Sequence, residues 1–381
     1  MSAVHAHLAA PADLEQAERV LAAGLPTAKT EAWRYSVRAL GEFDFAAPRY
    51  GSEALAWPGQ AHDVLVVGPQ IDGRSVDGVQ VSLAARPGEL AAGEAYFFAR
   101  LMLADGTPCV HIEVARTVAP LRLSLLAPLS GYQALRVVIT IAPGAEVQLI
   151  EDLHGGDPAG FVNRWFEVRI GAHASVQWLR WQRHAARSVQ RTDIALASEA
   201  RLTYCAMECE ARFARHDLDV RLEGQGASAS INGLAVVNGR QHQDTQLSVR
   251  HLAAGASSNT RWRMIASGRA RSVFNGLIHV SPGADQSEAH LKTANLLLSA
   301  HAEINTKPEL IIEADEVVCS HGATVGQLDD RALFYLQSRG VPLEEARRML
   351  TVAFGGDVLS AISNATVREV IAAVIADKVG Q

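Results

Sequence analysis

Residues 143–150, Pro143-Gly144-Ala145-Glu146-Val147-Gln148-Leu149-Ile150, set a small-residue turn ending in alanine before a run that alternates polar and apolar side chains. The same phrase returns as Gly171-Ala172-His173-Ala174, Ser198-Glu199-Ala200, Gly224-Gln225-Gly226-Ala227, Ala254-Gly255-Ala256 and Pro282-Gly283-Ala284, each opening another short strand. Counted from alanine to alanine, the intervals are 29, 26, 27, 29 and 28 residues. A half-step copy, Ser267-Gly268-Arg269-Ala270, ends fourteen residues after Ala256. A steady period with strand content and no long intervening helix is the pattern of a β-solenoid. Each coil lays its strands on the coil before it, so backbone groups pair from coil to coil, and small corner residues allow the tight bends. A β-sandwich needs no constant period; a jelly roll with evenly spaced loops is the weaker alternative. The expected fold is therefore mainly β, a right-handed parallel β-helix covering about Val110 to Gly322, with a small N-terminal helical region and a C-terminal helical domain.

Working outward, Val64-Leu65-Val66-Val67 begins the strand-rich region, with Asp72-Gly73 and Asp77-Gly78 as turn signals. Residues 95–103 read as a brief helix. Further upstream, Leu14, Ala17, Val20 and Leu21 share one face of an amphipathic helix over residues 11–23, stopped by Gly24 and Pro26. Thr30 is placed to cap a second short helix through Trp33 and Val37, and Gly41 to Gln60 reads as a connector. On the C-terminal side, Glu309 to Glu313 and Glu316 to Cys319 read as strands. After them the period changes: Leu328, Ala332, Leu333 and Leu336 recur at helical spacing, with Asp329 or Asp330 as N-cap and Gly340 as stop. Pro342 suits the first turn of Leu343–Phe354, stopped by Gly355-Gly356. Asp357 and Asn364 read as caps of two more helical segments, the second with Val367, Val370, Ile371 and Val374 on one face. These boundaries divide the chain into 1–60, 61–322 and 323–381. A helical cap over the solenoid's open end is one role for the last region; a docking surface is the other.

The chain has 381 residues, 48% of them hydrophobic, enough for a large core, and a net charge of −6 with no Lys/Arg run, which argues against a nucleic-acid surface. The four cysteines (Cys109, Cys205, Cys209, Cys319) include no C-x2-C pair and are too few for a disulfide framework. The N-terminus lacks a basic stretch followed by an apolar one, and no apolar run reaches the ~20 residues that span a bilayer. The expected location is the cytoplasm.

One pair of side chains stands out as chemistry. Cys319 and His321 are separated by Ser320, so on an extended backbone they project to the same side. Sulfur and imidazole nitrogen are ligand types that iron–sulfur clusters, zinc and copper accept. Alone, a C-x-H pair is more often a core cysteine beside a hydrogen-bonded histidine. Cys205 and Cys209 read as buried structural residues. The scattered histidines form no H-x-x-x-H or H-E-x-x-H pattern and read as polar surface residues. Asp329-Asp330 is better explained by helix capping than by paired-carboxylate hydrolysis. No GxxxxGK[ST] or GxSxG motif is present.

The longer string Asn305-Thr306-Lys307-Pro308-Glu309-Leu310, continuing through Cys319-Ser320-His321-Gly322 to Gly340, resembles the SufB/SufD family of iron–sulfur cluster assembly scaffolds, in its SufD branch. Gly24-Leu25-Pro26, Thr30-Glu31-Ala32-Trp33-Arg34-Tyr35 and the stretch Ala104 to Leu123 are similar to the same family, so the likeness covers nearly the whole chain. The resemblance implies a non-catalytic scaffold. It implies that His321, and less directly Cys319, contributes to a transient iron–sulfur cluster at the contact with a SufB-type partner, with His321 as the metal ligand. It also implies that the C-terminal helical region docks a SufC-type ABC ATPase, which fits the lack of a P-loop here. A homodimer of the isolated chain stays open as an alternative to the complex, since the sequence does not decide self-association. The rival reading is a β-helix carbohydrate-active lyase or hydrolase, which would want charged groups clustered on one coil face.

Overall fold

The computed structural model describes residues 3–7, 27, 29–30, 33–40, 46–51, 57, 60–84, 98, 102, 107, 109–362 and 365–379. Strands β1 (Ala3–His7), β2 (His62–Val67), β3 (Gln70–Arg74) and β4 (Val79–Ala84) precede β5 (Cys109–Val114), β6 (Leu121–Ala127), β7 (Gly131–Ile141) and β8 (Glu146–Gly155). Then follow β9 (Gly160–Ile170), β10 (Ser175–His184), β11 (Arg187–Leu196), β12 (Arg201–Cys209), β13 (Phe213–Leu222) and β14 (Ser228–Val237). The last strands are β15 (His242–His251), β16 (Ser257–Ala266), β17 (Arg271–Val280), β18 (Glu288–Leu297), β19 (Glu303–Ile312) and β20 (Val318–Gly326). Among the described residues there are four helices: α1 (Val37–Leu40) near the start, and α2 (Asp330–Ser338), α3 (Leu343–Leu359) and α4 (Ala365–Val379) at the end.

Even-numbered strands from β6 to β20 line up in one sheet and odd-numbered strands from β5 to β19 in the other, each parallel to the next. One strand from each sheet makes a coil, so the β-helix has about eight coils. The expected parallel solenoid is what forms. Its first sheet is extended at one end by β2, β3 and β1, where β1 and β3 pair antiparallel, and the second by β4, antiparallel to β5. Strand β1 falls in a stretch with no strand expectation: five residues are too short to display a period.

The corner alanines behave as the repeat requires. Ala174, Ala200, Ala227, Ala256 and Ala284 are fully buried, and Ala145 nearly so. Immediately before them sit Gly144, His173, Glu199, Gly226, Gly255 and Gly283, all with positive φ. The chain turns through a left-handed residue and then drops a methyl group into the corner, where nothing larger fits. Successive corners also bond to each other: His173 N–H donates to the Ser198 carbonyl (2.9 Å), and Glu199 N–H to that of Gln225 (2.9 Å).

Inside, equivalent residues stack in columns. In the second sheet Ile139, Val168, Ile194, Val220, Val249, Ile278 and Leu310 lie in register. In the first, Val147, Val176, Leu202, Ala229, Ser258 and Ala289 do the same, as do Leu149, Trp178, Tyr204, Ile231, Thr260 and Leu291. Burying such a column stabilises by ~25 cal/mol per Å² of apolar surface.

The C-terminal helices do not cap the open end. They lie along the outer face of the first sheet, where Val358, Leu359, Ile362, Val367, Ile371 and Ile375 pack on Trp181, Cys205, Met207, Leu234, Val236 and Ile265. That outward face is apolar, so the helices cover it and bury both surfaces. Helix α2 starts as expected, with the Asp329 carboxylate accepting from Arg331 N–H at 2.9 Å, and Gly340 is left-handed just past its end. Helix α3 does not stop at Gly355-Gly356 but runs through to Leu359. There Gly355 is buried against Leu234, and tertiary packing overrides glycine's poor helix propensity. Asp357 therefore lies inside α3 and starts no helix, whereas α4 buries the face expected of it. The amphipathic stretch 11–23 lies outside the described residues, as do Asn364, nearly all of 95–103 and most of the Gly41–Gln60 connector.

Candidate functional site

Strand β20 is the last of the first sheet, and its residues continue the inner columns. Cys319 is registered on Ala289 and His321 on Leu291, both buried core residues. The two side chains thus occupy the next rungs of columns whose earlier rungs are sealed inside. Among the described residues no further coil covers them: His321 is exposed and Cys319 half-buried, packed against the apolar core. Burial pushes the Cys319 thiol up, partly offset by a hydrogen bond with the Ala289 backbone. Ser320, between them, faces the other way and meets His290, whose Nδ1 lies 2.7 Å from the Ser320 hydroxyl and whose Nε2 lies 2.9 Å from the Glu288 carboxylate.

The sequence places this pair at the junction with the helical region. The structure puts it near the start of a strand that runs on to Gly326, so the pair belongs to the solenoid end itself. Around it the end carries several exposed apolar side chains: Ile311, Ile312, Val318 and Val325 are exposed, and Val318 is 62% accessible. Strands β19 and β20 each have one side without a neighbouring strand. Among the described residues there is no group of three or more His, Cys, Asp or Glu able to hold a metal ion. Clusters of the [2Fe–2S] and [4Fe–4S] types take four ligands. Cys319 and His321 therefore offer two ligands of the right type, half of a set.

Other candidates resolve differently. Cys205 and Cys209 are buried, with thiols pushed up to about 12 by burial, and Cys209 donates to the Gln182 carbonyl at 3.1 Å. They are structural, as read. The histidines are not all surface residues: His154, His184, His216, His242 and His251 are buried. With them lies a polar seam that hydropathy patterning missed. Glu208 accepts from Gln243 (2.7 Å) and Thr245 (2.8 Å), pairs with Arg180 (3.2 Å) and lies 3.2 Å from His216 Nδ1. Glu151 accepts from Gln190 at 2.7 Å. Burial alone would raise the Glu208 carboxyl; His216, Arg180 and Thr245 together outweigh it and hold it below its ordinary value. The same burial, helped by Arg180, pushes His216 below its ordinary value against the pull of Glu208. The available signal was weak: Gln182, Glu208 and Gln243 are polar residues at positions where the strand alternation expects core. On the outer side, α2 exposes Phe334 (73%) and Tyr335 (58%), and α3 adds Leu343 and Met349.

With this geometry in place, similarity to known proteins is informative. The family described as SUF system FeS cluster assembly, SufBD core domain, matches residues 127–354, from the end of β6 into α3. The iron–sulfur cluster assembly protein SufD of Escherichia coli is 28% identical over 97% of this chain and 92% of its own length. A SufBD family assembly protein of Synechocystis is 34% identical, covering 55% of this chain and 46% of that protein. The chloroplastic protein ABCI7 of Arabidopsis thaliana is 30% identical, covering 61% of this chain and 50% of that one. A family match over more than half the chain, on the coils that carry the repeat and the terminal pair, decides the matter: the chain belongs to the SufBD family of iron–sulfur cluster assembly proteins and is SufD-like.

Proposed function

We propose that this chain is a non-catalytic scaffold subunit of a cytoplasmic SUF complex. Its open solenoid end meets a SufB-type partner to complete the assembly site, and a SufC-type ABC ATPase docks on the C-terminal helices. The observation that carries this is the position of Cys319 and His321, correct in chemistry and incomplete in number, on an apolar strand-edged surface. A partner strand end would both cover the apolar rim and supply the missing ligands. The cluster is cargo, formed on the complex and passed on.

The two groups have different duties. A neutral imidazole binds iron without first losing a proton. It is also displaced more readily than a thiolate, which suits a cluster that must leave. The Cys319 thiol, pushed up by burial, is a poor thiolate until a metal or cation at the contact lowers it. The exposed Phe334 and Tyr335 of α2 offer the aromatic anchors typical of binding hot spots for the ATPase. Without its partner, the same coil end pairs with a second copy, giving the homodimer. The carbohydrate-enzyme reading has no support in the seam, because Glu151 and Glu208 are fully buried and hydrogen-bonded inside the coils.

Co-expression of the chain with a SufB-type and a SufC-type protein, followed by affinity purification, tests the proposal. The expected result is a three-component complex that binds iron and sulfide. A chain that elutes alone, with neither protein, would overturn it.

A further inference from the structure

On the side of the solenoid, where α1 rests, a cleft of about 540 Å³ is lined by Arg34, Arg38, Arg240, Arg269 and Arg271, with Tyr35 beside them. Arg34 and Tyr35 precede α1, and Arg38 lies within it. Arg240 and Arg269 come from the β14–β15 and β16–β17 turns, and Arg271 begins β17. In a chain of net charge −6, this is a marked concentration of positive charge. Only Arg271 has a carboxylate partner among the described residues, Glu303 at 3.0 Å. Arg240 and Arg269 hold equivalent places in successive coils. The turns stack directly, with Arg269 N–H donating to the Gly239 carbonyl (2.7 Å) and Arg271 N–H to that of Gln241 (2.9 Å). Like charges set in register one coil apart, ~4.8 Å, repel each other and destabilise unless an anion sits between them.

The opposite wall is fixed in place. The buried Ser36 hydroxyl lies 2.9 Å from His242 Nε2, the Arg215 guanidinium packs over the Trp33 ring at 4.1 Å, and the Leu40 carbonyl accepts from Arg187. Arg34 and Arg38 therefore line the cleft opposite the coil arginines, across a held gap. Guanidinium forks match phosphate oxygens two at a time. The volume falls within the ~300–1,000 Å³ of ordinary small-ligand sites. We propose that this cleft binds a small ligand carrying linked phosphates, a pyrophosphate group, with the exposed Tyr35 ring placed to stack on a base if the group belongs to a nucleotide.

The test uses the isolated full-length chain, so that no ATPase contributes a nucleotide site. Inorganic pyrophosphate, ADP and adenosine are titrated by calorimetry at low ionic strength. Saturable one-to-one binding of pyrophosphate, of ADP or of both is expected, weakened by salt, with no binding of adenosine. ADP binding more tightly than pyrophosphate, with the difference lost in Tyr35→Ala, identifies the nucleotide as the source; equal affinities identify the inorganic anion. The double variant Arg240→Ala/Arg269→Ala, altered only at exposed turn positions, should melt no lower than wild type and bind at least ten-fold more weakly. Wild-type affinity in that double variant overturns the proposal. So does an absence of phosphate binding, including the case in which only an acidic polypeptide such as polyglutamate binds.

Discussion

At the scale of single residues, the decisive feature is that His321 stacks on a core column yet remains exposed. A side chain in that position contributes little to folding. His321→Ala is expected to leave the melting temperature within about 2 °C of wild type, as for a surface substitution of ±0.5 kcal/mol. Iron bound per assembled complex should fall at least several-fold, because a methyl group cannot replace a ligand. Cys319→Ala should lower iron content less and stability more, since the thiol packs against the apolar core. Iron-to-protein ratio and thermal melting on the same preparation separate the two roles. An unchanged iron content in a correctly assembled His321→Ala complex would falsify the ligand assignment. The pairing of Cys319 with His321 was legible from their spacing alone, because strand geometry places i and i+2 on one side. That the C-terminal helices lie along the first sheet instead of over this end was not, because nothing local in the sequence says where helices pack.

At the scale of elements, α3 shows how packing overrides a stop signal. Gly355 and Gly356 look alike in sequence but not in place. A Cβ built on Gly355 would come within 3.0 Å of Leu234 Cδ2, whereas one on Gly356 would meet nothing within 4 Å. Gly356→Ala should therefore stabilise by about 1 kcal/mol, the helix-propensity difference. Gly355→Leu should destabilise by about 1–3 kcal/mol through overpacking against the sheet. Urea unfolding of both variants checks the contrast, and a stabilised Gly355→Leu would show that α3 does not press on β14. On the far side of the same helical layer, Phe334→Ser/Tyr335→Ser should abolish capture of the ATPase while leaving the melting temperature unchanged, since neither ring is buried. Retained capture in a pull-down would move the ATPase contact elsewhere. The strands were legible because small-Ala corners repeat at a fixed interval. The helix faces were legible because Val367, Ile371 and Ile375 keep helical spacing. What the helices cover was not, since an outward sheet face lined by Trp181, Met207 and Leu234 reads in sequence as ordinary core.

At the scale of the whole molecule, the solenoid buries histidines whose lowered pKa values make its stability depend on pH. Burial lowers the pKa of His154, His184, His216, His242 and His251, and His154 and His251 reach about 4. Above pH 6.5 these rings are neutral whether the chain is folded or not, and they contribute no pH dependence. As pH falls from about 6.5 toward 4, the unfolded chain takes up protons that the folded chain refuses. Stability is then lost at up to about 1.4 kcal/mol per pH unit for each of His154 and His251, and His184, His216 and His242 act in the same direction. Glu208 acts in a lower window: its folded pKa is depressed, so its contribution is present above the ordinary carboxylate range and lost only below it. The molecule should accordingly be most stable above pH 7 and lose melting temperature steeply between pH 6.5 and 5, before carboxylates titrate. His251→Asn, which keeps a polar group near Ser258 but cannot titrate, should make the slope of unfolding free energy against pH shallower by about 1.4 kcal/mol per unit. A melting temperature flat from pH 7.5 to 5 would mean that the interior histidines are hydrated and free to protonate in the folded chain.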